Sequence, residues 1–478
     1  MSLMKRIFIL LLTFGFAVTA FSHPWKPRHY IIVDTDAGVD DMKAISMLLA
    51  SPDIRVLAIT VSPGALNAKA AWVKVKSLLN GFYHEGIPVG INTSCKFRSP
   101  DLPLALNYVW GEENQLSGDI APECIGVIRE ILSTENNKIS MVCLGSLSTA
   151  ASAYAEIPQF RQKVKGIIWS ADGLNDKKGF NYKIDAQAVS KIFGSGIQVT
   201  VVKGTGDMKL YDADLNNNIS FVHSAYAKRL TEFFTSEKAK NHNFSFGMTD
   251  DAIPVYMHYP QLFNAETTAK GIVASPADIG LIREKTLRIL KGETVERNQV
   301  IKEFPLTPSF YFADIEPSVT DIINKYGLDE WVSGVIANEL HRHLGVFAII
   351  GVKMGIRARE YFNTGVDEFM VTSSAGSEPP MSCMNDGLQV STGATPGHGL
   401  LTVKHESPAL PSAEFIYMNR KIRLTLKPEI ASLISNELKE INFVYGLDSD
   451  IYWELVRKNS IKYWLNLDRH DIFVIERL

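Results

Sequence analysis

The chain has 478 residues, of which 46% are hydrophobic and 21% charged, and its formal net charge is −3. This is ordinary globular composition, which excludes a disordered or fibrous chain; at roughly 100–200 residues per domain the length implies two or three domains. The near-neutral balance gives no electrostatic reason to expect nucleic acid as a partner, because phosphate binding needs a basic surface.

In chain order, Lys5 and Arg6 precede an uncharged apolar run over 7–20, and small residues at 18–22 offer a cleavage point. That is the layout of a secretory signal peptide over residues 1–22. A membrane anchor is the competing reading, but a span needs about 20 apolar residues and this run is shorter. The expectation is an exported protein, periplasmic or secreted, without stable membrane insertion. In an oxidising compartment Cys95 and Cys124, both in loop-like sequence, are the one plausible disulfide pair, whereas Cys143 lies in an apolar strand and reads as a buried small hydrophobe.

From residue 30 onward, short β-rich runs alternate with amphipathic stretches. Strands are expected at 30–34, 56–61, 139–144, 164–170 and 197–202, and helices at 41–50, 68–79, 148–155 and 186–193. Such alternation with apolar strands predicts an α/β fold, a mostly parallel sheet flanked by helices. Ligands in such folds bind at the carboxyl ends of the strands. Pro305, Pro308 and Pro317 break the pattern. The boundaries are therefore placed at 23–310 for a first domain, 311–326 for a linker and 327–478 for a smaller α+β domain. The second domain is expected to hold a helix around 331–362, a Gly-rich segment at 387–399 and late strands near 415–424.

The first predicted strand runs into Asp34-Thr35-Asp36-Ala37-Gly38-Val39-Asp40-Asp41. Four carboxylates this close repel and hold their protons more tightly, so they need a compensating cation. Oxygen donors select Ca²⁺ or Mg²⁺ over softer metals. Helix capping accounts for one or two acidic residues at a helix start, not four after an apolar strand. An Asp-x-Asp after a strand also occurs in phosphotransferases of the haloacid-dehalogenase type. Those usually carry Thr or Val where this chain has Gly38, and the Asp40-Asp41 pair is foreign to them.

The segment closely resembles the Asp-Thr-Asp-x-Gly-x-Asp-Asp signature of the inosine–uridine nucleoside hydrolases. The resemblance continues in order through residues 57–61, Cys143-Leu144-Gly145-Ser146-Leu147-Ser148, Gly179-Phe180-Asn181 with Asp185, and Thr249-Asp250-Asp251-Ala252. It covers about residues 28–300. It implies calcium-dependent hydrolysis of an N-glycosidic (ribosyl) bond in a nucleoside-like small molecule, in a family that often self-associates. Asp36, Asp41 and Asp250 would hold Ca²⁺ with side-chain oxygens and Leu144 with its carbonyl. Asp36 would also act as the catalytic base, Asp40 and Asn181 would bind the sugar hydroxyls, and Asp34 would brace the loop. The chain departs from the family pattern at Thr249, which replaces the leaving-group His, and at Trp110, which replaces the His of a His-Gly-Glu loop. Ala65 and Gly179 stand at two further changed positions. Thr249 and Trp110 are taken as substrate-side residues. The departures leave a second expectation open: a catalytically weak binding or sensing protein that keeps the calcium site.

In the second domain, His341-Arg342-His343 and Cys383 form a candidate site for Zn²⁺ or another transition metal. The competing reading is one surface His, one packed His and a buried Cys. These residues, with Asp386 to Gln389 and Thr392 to Thr395, resemble the E-type domain of formylmethanofuran dehydrogenase over about residues 328–440. Here the family's two further cysteines are replaced by Gly345 and Ala394, and a thiolate site is depleted accordingly.

Overall fold

The computed structural model describes residues 26–478, apart from 115, 117, 175, 176, 178, 205–212, 241–248, 295–299, 302 and 406. The expected signal peptide over residues 1–22 lies outside the described residues. Among those described, no helix is long and apolar enough to cross a membrane.

The first domain is built on an eight-stranded sheet. Its strands are β1 (His29–Thr35), β2 (Ile54–Val61), β3 (Val89–Ile91), β4 (Ile139–Cys143), β5 (Val164–Ser170), β6 (Val199–Val202), β7 (Phe263–Thr268) and β8 (Gly271–Pro276), in the order β3-β2-β1-β4-β5-β6-β8-β7. All neighbours run parallel except the β7–β8 hairpin at one edge. The central strands β1, β2 and β4 read as near-continuous apolar runs because helices cover both faces, and Ile54–Val61 is buried throughout. Two apolar cores form, one on each face. The chain winds from β1 to β3 in one direction and from β4 to β6 in the other. A crevice therefore opens between the carboxyl ends of β1 and β4, the topological switch point where such sheets bind ligands.

The second domain has a five-stranded sheet: β9 (Met370–Ser373), β10 (Leu401–Val403), β11 (Ser412–Tyr417), β12 (Arg420–Leu426) and β13 (Phe473–Arg477), in the order β10-β9-β11-β12-β13. Only β9 and β10 are parallel. Helices pack beside it around a separate core. The single helix expected around 331–362 is two, Leu328–His341 and Val346–Phe362. Arg342 adopts the left-handed conformation at φ +70°, which ends the first helix. His341 thus closes a helix rather than opening one. The Gly-rich segment begins as the helix Met384–Thr392, packed so tightly on Val346–Phe362 that a Cβ on Gly351 would stand 2.1 Å from the Met384 carbonyl oxygen. The expected connector 311–326 carries the helix Val319–Tyr326, whose Val319, Ile322 and Tyr326 pack with Trp331 and Trp464.

The two domains are joined by specific polar contacts. Arg55 forks onto Glu368 and donates to the Asn363 carbonyl at 2.9 Å. Arg357 donates to Glu85 at 2.7 Å, and the Gly86 amide to the Tyr361 carbonyl at 2.8 Å.

Candidate active site

Strand β1 delivers the acidic segment to the crevice, and the chain then turns into helix α1 (Val39–Ala50). Asp34 stays beneath the site, wholly buried, and accepts the hydroxyls of Thr60 at 2.6 Å and Ser62 at 3.1 Å. Burial pushes its pKa up to about 7 against the pull of the Thr60, Thr149 and Ser62 hydroxyls. Asp36 accepts the Gly38 amide at 3.2 Å, and burial, helped by the Asp40 charge, raises it to about 6. A Cβ on Gly64 would lie 1.9 Å from Asp36 Oδ2, so glycine is needed there for the carboxylate to fit. Asp41 Oδ1 receives the Thr35 hydroxyl at 2.5 Å and the Asp36 amide at 3.2 Å.

Helix α2 (Ala252–His258) brings the remaining acid from the far end of the domain, Asp250, just ahead of its first turn. Asp40, Asp41 and Asp250 each offer a carboxylate oxygen, and the three lie within 4.8 Å of one another. Burial first, and then the neighbouring carboxylates, hold Asp41 and Asp250 well above the usual carboxylate range. Three hard oxygen donors this close, two of them buried, fit a divalent cation of the calcium or magnesium type. Asp36 adjoins this group through Asp41, accepts the Gly38 amide, and is packed against Gly64 and Gly145.

These carboxylates line a cavity of about 610 Å³ together with Leu144, Asn181 and Thr249. Asn181 Nδ2 donates to the Leu144 carbonyl at 2.7 Å and to the Ser170 carbonyl at 3.0 Å, tying together the ends of β4 and β5. The Thr249 hydroxyl donates to Asp40 Oδ2 at 2.7 Å. Val39, Leu102, Pro103, Leu104 and Phe180 supply apolar lining to the same cavity. Apolar lining of this kind suits a planar ring, with a few polar groups to orient it. Seven of the residues singled out from sequence thus meet in one place: Asp36, Asp40, Asp41, Leu144, Asn181, Thr249 and Asp250.

Trp110 does not join them. It is fully buried in the core, stacked on Phe233 with ring centroids 5.3 Å apart, and it does not line the cavity. The expected Cys95–Cys124 disulfide is also absent: all four cysteines are free, and the Cys124 thiol donates to Glu123. In the second domain His341 and His343 come together, with ring centroids 4.2 Å apart, and Asp386 bonds His341 Nδ1 at 2.8 Å. Cys383 does not complete a three-ligand site with them; among the described residues the Asp40–Asp41–Asp250 group is where three such donors converge. Its thiol, pushed up to about 11 by burial, sits in the turn ahead of the Met384–Thr392 helix.

Two residues near the cavity escape a reading of the sequence. Lys43, buried on α1, pairs with Asp251 at 3.2 Å. The signal for them is a lysine in the run Met42-Lys43-Ala44-Ile45 and a second acid directly after Asp250.

Residues 31–303, more than half of the chain, match the family model of the inosine-uridine preferring nucleoside hydrolases, and residues 340–457 match that of FmdE of the molybdenum formylmethanofuran dehydrogenase operon. Uridine nucleosidase 1 of Arabidopsis thaliana is 24% identical over 283 residues, covering 55% of this chain and 81% of that protein. The pyrimidine-specific ribonucleoside hydrolase RihA of Klebsiella pneumoniae is 29% identical over 185 residues, 36% of this chain and 58% of that one. A solved inosine-uridine preferring nucleoside hydrolase from Bacillus anthracis aligns with a TM-score of 0.46 at 16% identity, over 55% of this chain and 99% of the other. The chain belongs to the inosine–uridine preferring nucleoside hydrolase family, enzymes that hydrolyse the N-glycosidic bond of nucleosides.

Proposed function

We propose that the protein hydrolyses an N-ribosyl bond in a nucleoside or nucleoside-like compound in a calcium-dependent manner. The observation that carries this reading is the convergence of Asp40, Asp41 and Asp250 in a cavity that also has apolar lining. Asp36, Asp41, Asp250 and the Leu144 carbonyl would hold the ion. The acidity such an ion would supply when bound is a lowered pKa for a water near the sugar. Asp36 would take that proton. Asp40 and Asn181 would bind sugar hydroxyls, and the surrounding carboxylates would stabilise the positive charge that develops on the ring. The apolar lining would receive the base.

Thr249 favours a second reading. Its hydroxyl is committed to Asp40 and is no acid, so position 249 offers no proton to a departing base. The chain either acts on a substrate whose leaving group departs readily or binds its ligand without turnover. The test is calcium content of the purified protein together with reducing-sugar release over a nucleoside panel, for wild type and Asp36→Ala. Sugar release at about one calcium per chain, lost in Asp36→Ala, supports the enzyme reading. Equal rates in the two proteins would remove Asp36 from the reaction, and bound calcium with no release would favour the binding reading.

Two further parts of the proposal stand on separate observations. Export rests on the Lys5-Arg6 and apolar 7–20 arrangement. A Zn²⁺-type ion in the second domain rests on the two imidazoles: His341 Nε2 and His343 Nε2 lie 3.2 and 3.5 Å from the point where a Cβ on Gly345 would stand. Asp386 fixes the His341 ring in the way carboxylates orient metal-binding imidazoles.

A further inference from the structure

We propose that the buried Lys43–Asp251 ion pair is a positioning device that sets the spacing of the carboxylates in the metal cradle. The inference rests on the metal reading above and concerns residues outside the proposed ligand set.

Lys43 lies on α1, two residues after Asp41, and Asp251 directly follows Asp250. The two are 208 residues apart in sequence, yet Lys43 Nζ is 3.2 Å from Asp251 Oδ2. Their side chains are 2% and 0% exposed. The other oxygen of Asp251 accepts the Thr249 amide at 2.9 Å, and the Thr249 hydroxyl reaches Asp40 at 2.7 Å. A continuous polar chain therefore runs Lys43–Asp251–Thr249–Asp40, from α1 across to the segment entering α2 and back to α1. It brackets the point where Asp40, Asp41 and Asp250 converge.

Stability alone does not explain the pair. Removing two charges from water costs several kcal/mol per ion, and well-packed apolar substitutes are often as stable or more so. What an ion pair provides and an apolar contact does not is a fixed distance and direction. The three converging carboxylates repel one another, and two of them come from α1 while the third precedes α2. Without a fastening between these segments the easiest relaxation is to move them apart, which lowers the affinity of the cradle for a cation. Lys43 also sets a positive charge in the wall of a cavity that otherwise carries several negative ones.

The test is calcium binding by titration calorimetry on the full chain, using the metal alone. In Lys43→Gln/Asp251→Asn the charges go while a neutral hydrogen-bonding pair of similar size stays, and the new carboxamide still offers an oxygen to the Thr249 amide. The expected result is an unchanged melting temperature and a Kd for calcium raised about 10- to 100-fold, the usual cost of losing an outer-shell partner. Lys43→Arg, which keeps the ion pair, should bind within a few-fold of wild type. An unchanged Kd in the folded double variant overturns the inference and leaves the metal reading intact. If wild type itself binds no divalent cation, the metal reading fails and this one with it. Should the double variant not fold, Lys43→Met, which leaves Asp251 in place, answers the same question: a calcium Kd equal to that of wild type overturns the inference, and a raised one supports it.

Discussion

At position 64 one methyl group would occupy the place of the proposed base. A Cβ there falls 1.9 Å from Asp36 Oδ2 and 2.5 Å from its Cγ, and neither contact relaxes without moving the carboxylate. Gly64→Ala is therefore expected to displace Asp36 by an ångström or so, at a cost of about 10²-fold in kcat, while the fold survives because the change lies in a loop. Steady-state kinetics beside circular dichroism check this, and full activity would show that Asp36 is not held where the reaction needs it. The acidic residues themselves are legible in the sequence, because repulsion among four nearby carboxylates has to be answered by something. Their supports are not. Gly64 and the Lys43–Asp251 pair act through contacts made only after folding, the latter across 208 residues, and no local spacing announces them. The sequence pattern puts Asp36 with Asp41 and Asp250, and the fold brings Asp40 to the same group.

The strands and helices of the first domain follow their apolar patterns closely, because β1, β2 and β4 are covered on both faces and offer no ambiguity of register. Ligand-side positions in loops are harder to read. The neighbours Gly111 and Glu112 align Trp110 with a cavity position, but nothing in a local motif says which way a side chain turns. Tyr108, Trp110 and Phe233 instead form an aromatic cluster with centroid spacings of 4.7 to 5.3 Å. Trp110→Phe should accordingly lower stability by about 1–3 kcal/mol while leaving KM unchanged. Thermal melts paired with kinetics decide this, and a raised KM at unchanged Tm would return Trp110 to the substrate side. In the second domain the break between Leu328–His341 and Val346–Phe362 is hidden for a related reason. The left-handed Arg342 that separates them is not a type that favours that conformation, so the residue at the break does not announce it.

At the scale of the whole molecule, the contact between the domains contains a histidine that stays neutral. His84 is fully enclosed between them, with Nδ1 2.6 Å from the Glu360 carbonyl and Nε2 2.8 Å from the Tyr226 hydroxyl. A carbonyl only accepts, so Nδ1 carries the proton and Nε2 receives the Tyr226 hydroxyl. Protonation would place a second donor against that hydroxyl and an uncompensated charge in a desolvated site. Burial accordingly lowers the His84 pKa to about 4 from its ordinary value of 6.5. On acidification the unfolded chain takes up the proton first, so the contribution of His84 is complete above about pH 6.5 and declines as pH falls toward 4. The full span corresponds to about 3 kcal/mol and the part lost by pH 5 to about 2 kcal/mol. His84→Gln, which keeps a donor and an acceptor without titrating, should flatten the fall in melting temperature between pH 7 and pH 5, even if it lowers stability at pH 7. His258, lowered to about 3 by burial, titrates in the same direction and remains in both proteins, so the difference between their slopes isolates His84. Parallel melting curves across that range would show that the domain contact stays closed without a neutral imidazole. A flattened curve would make this contact the acid-sensitive seam of the molecule.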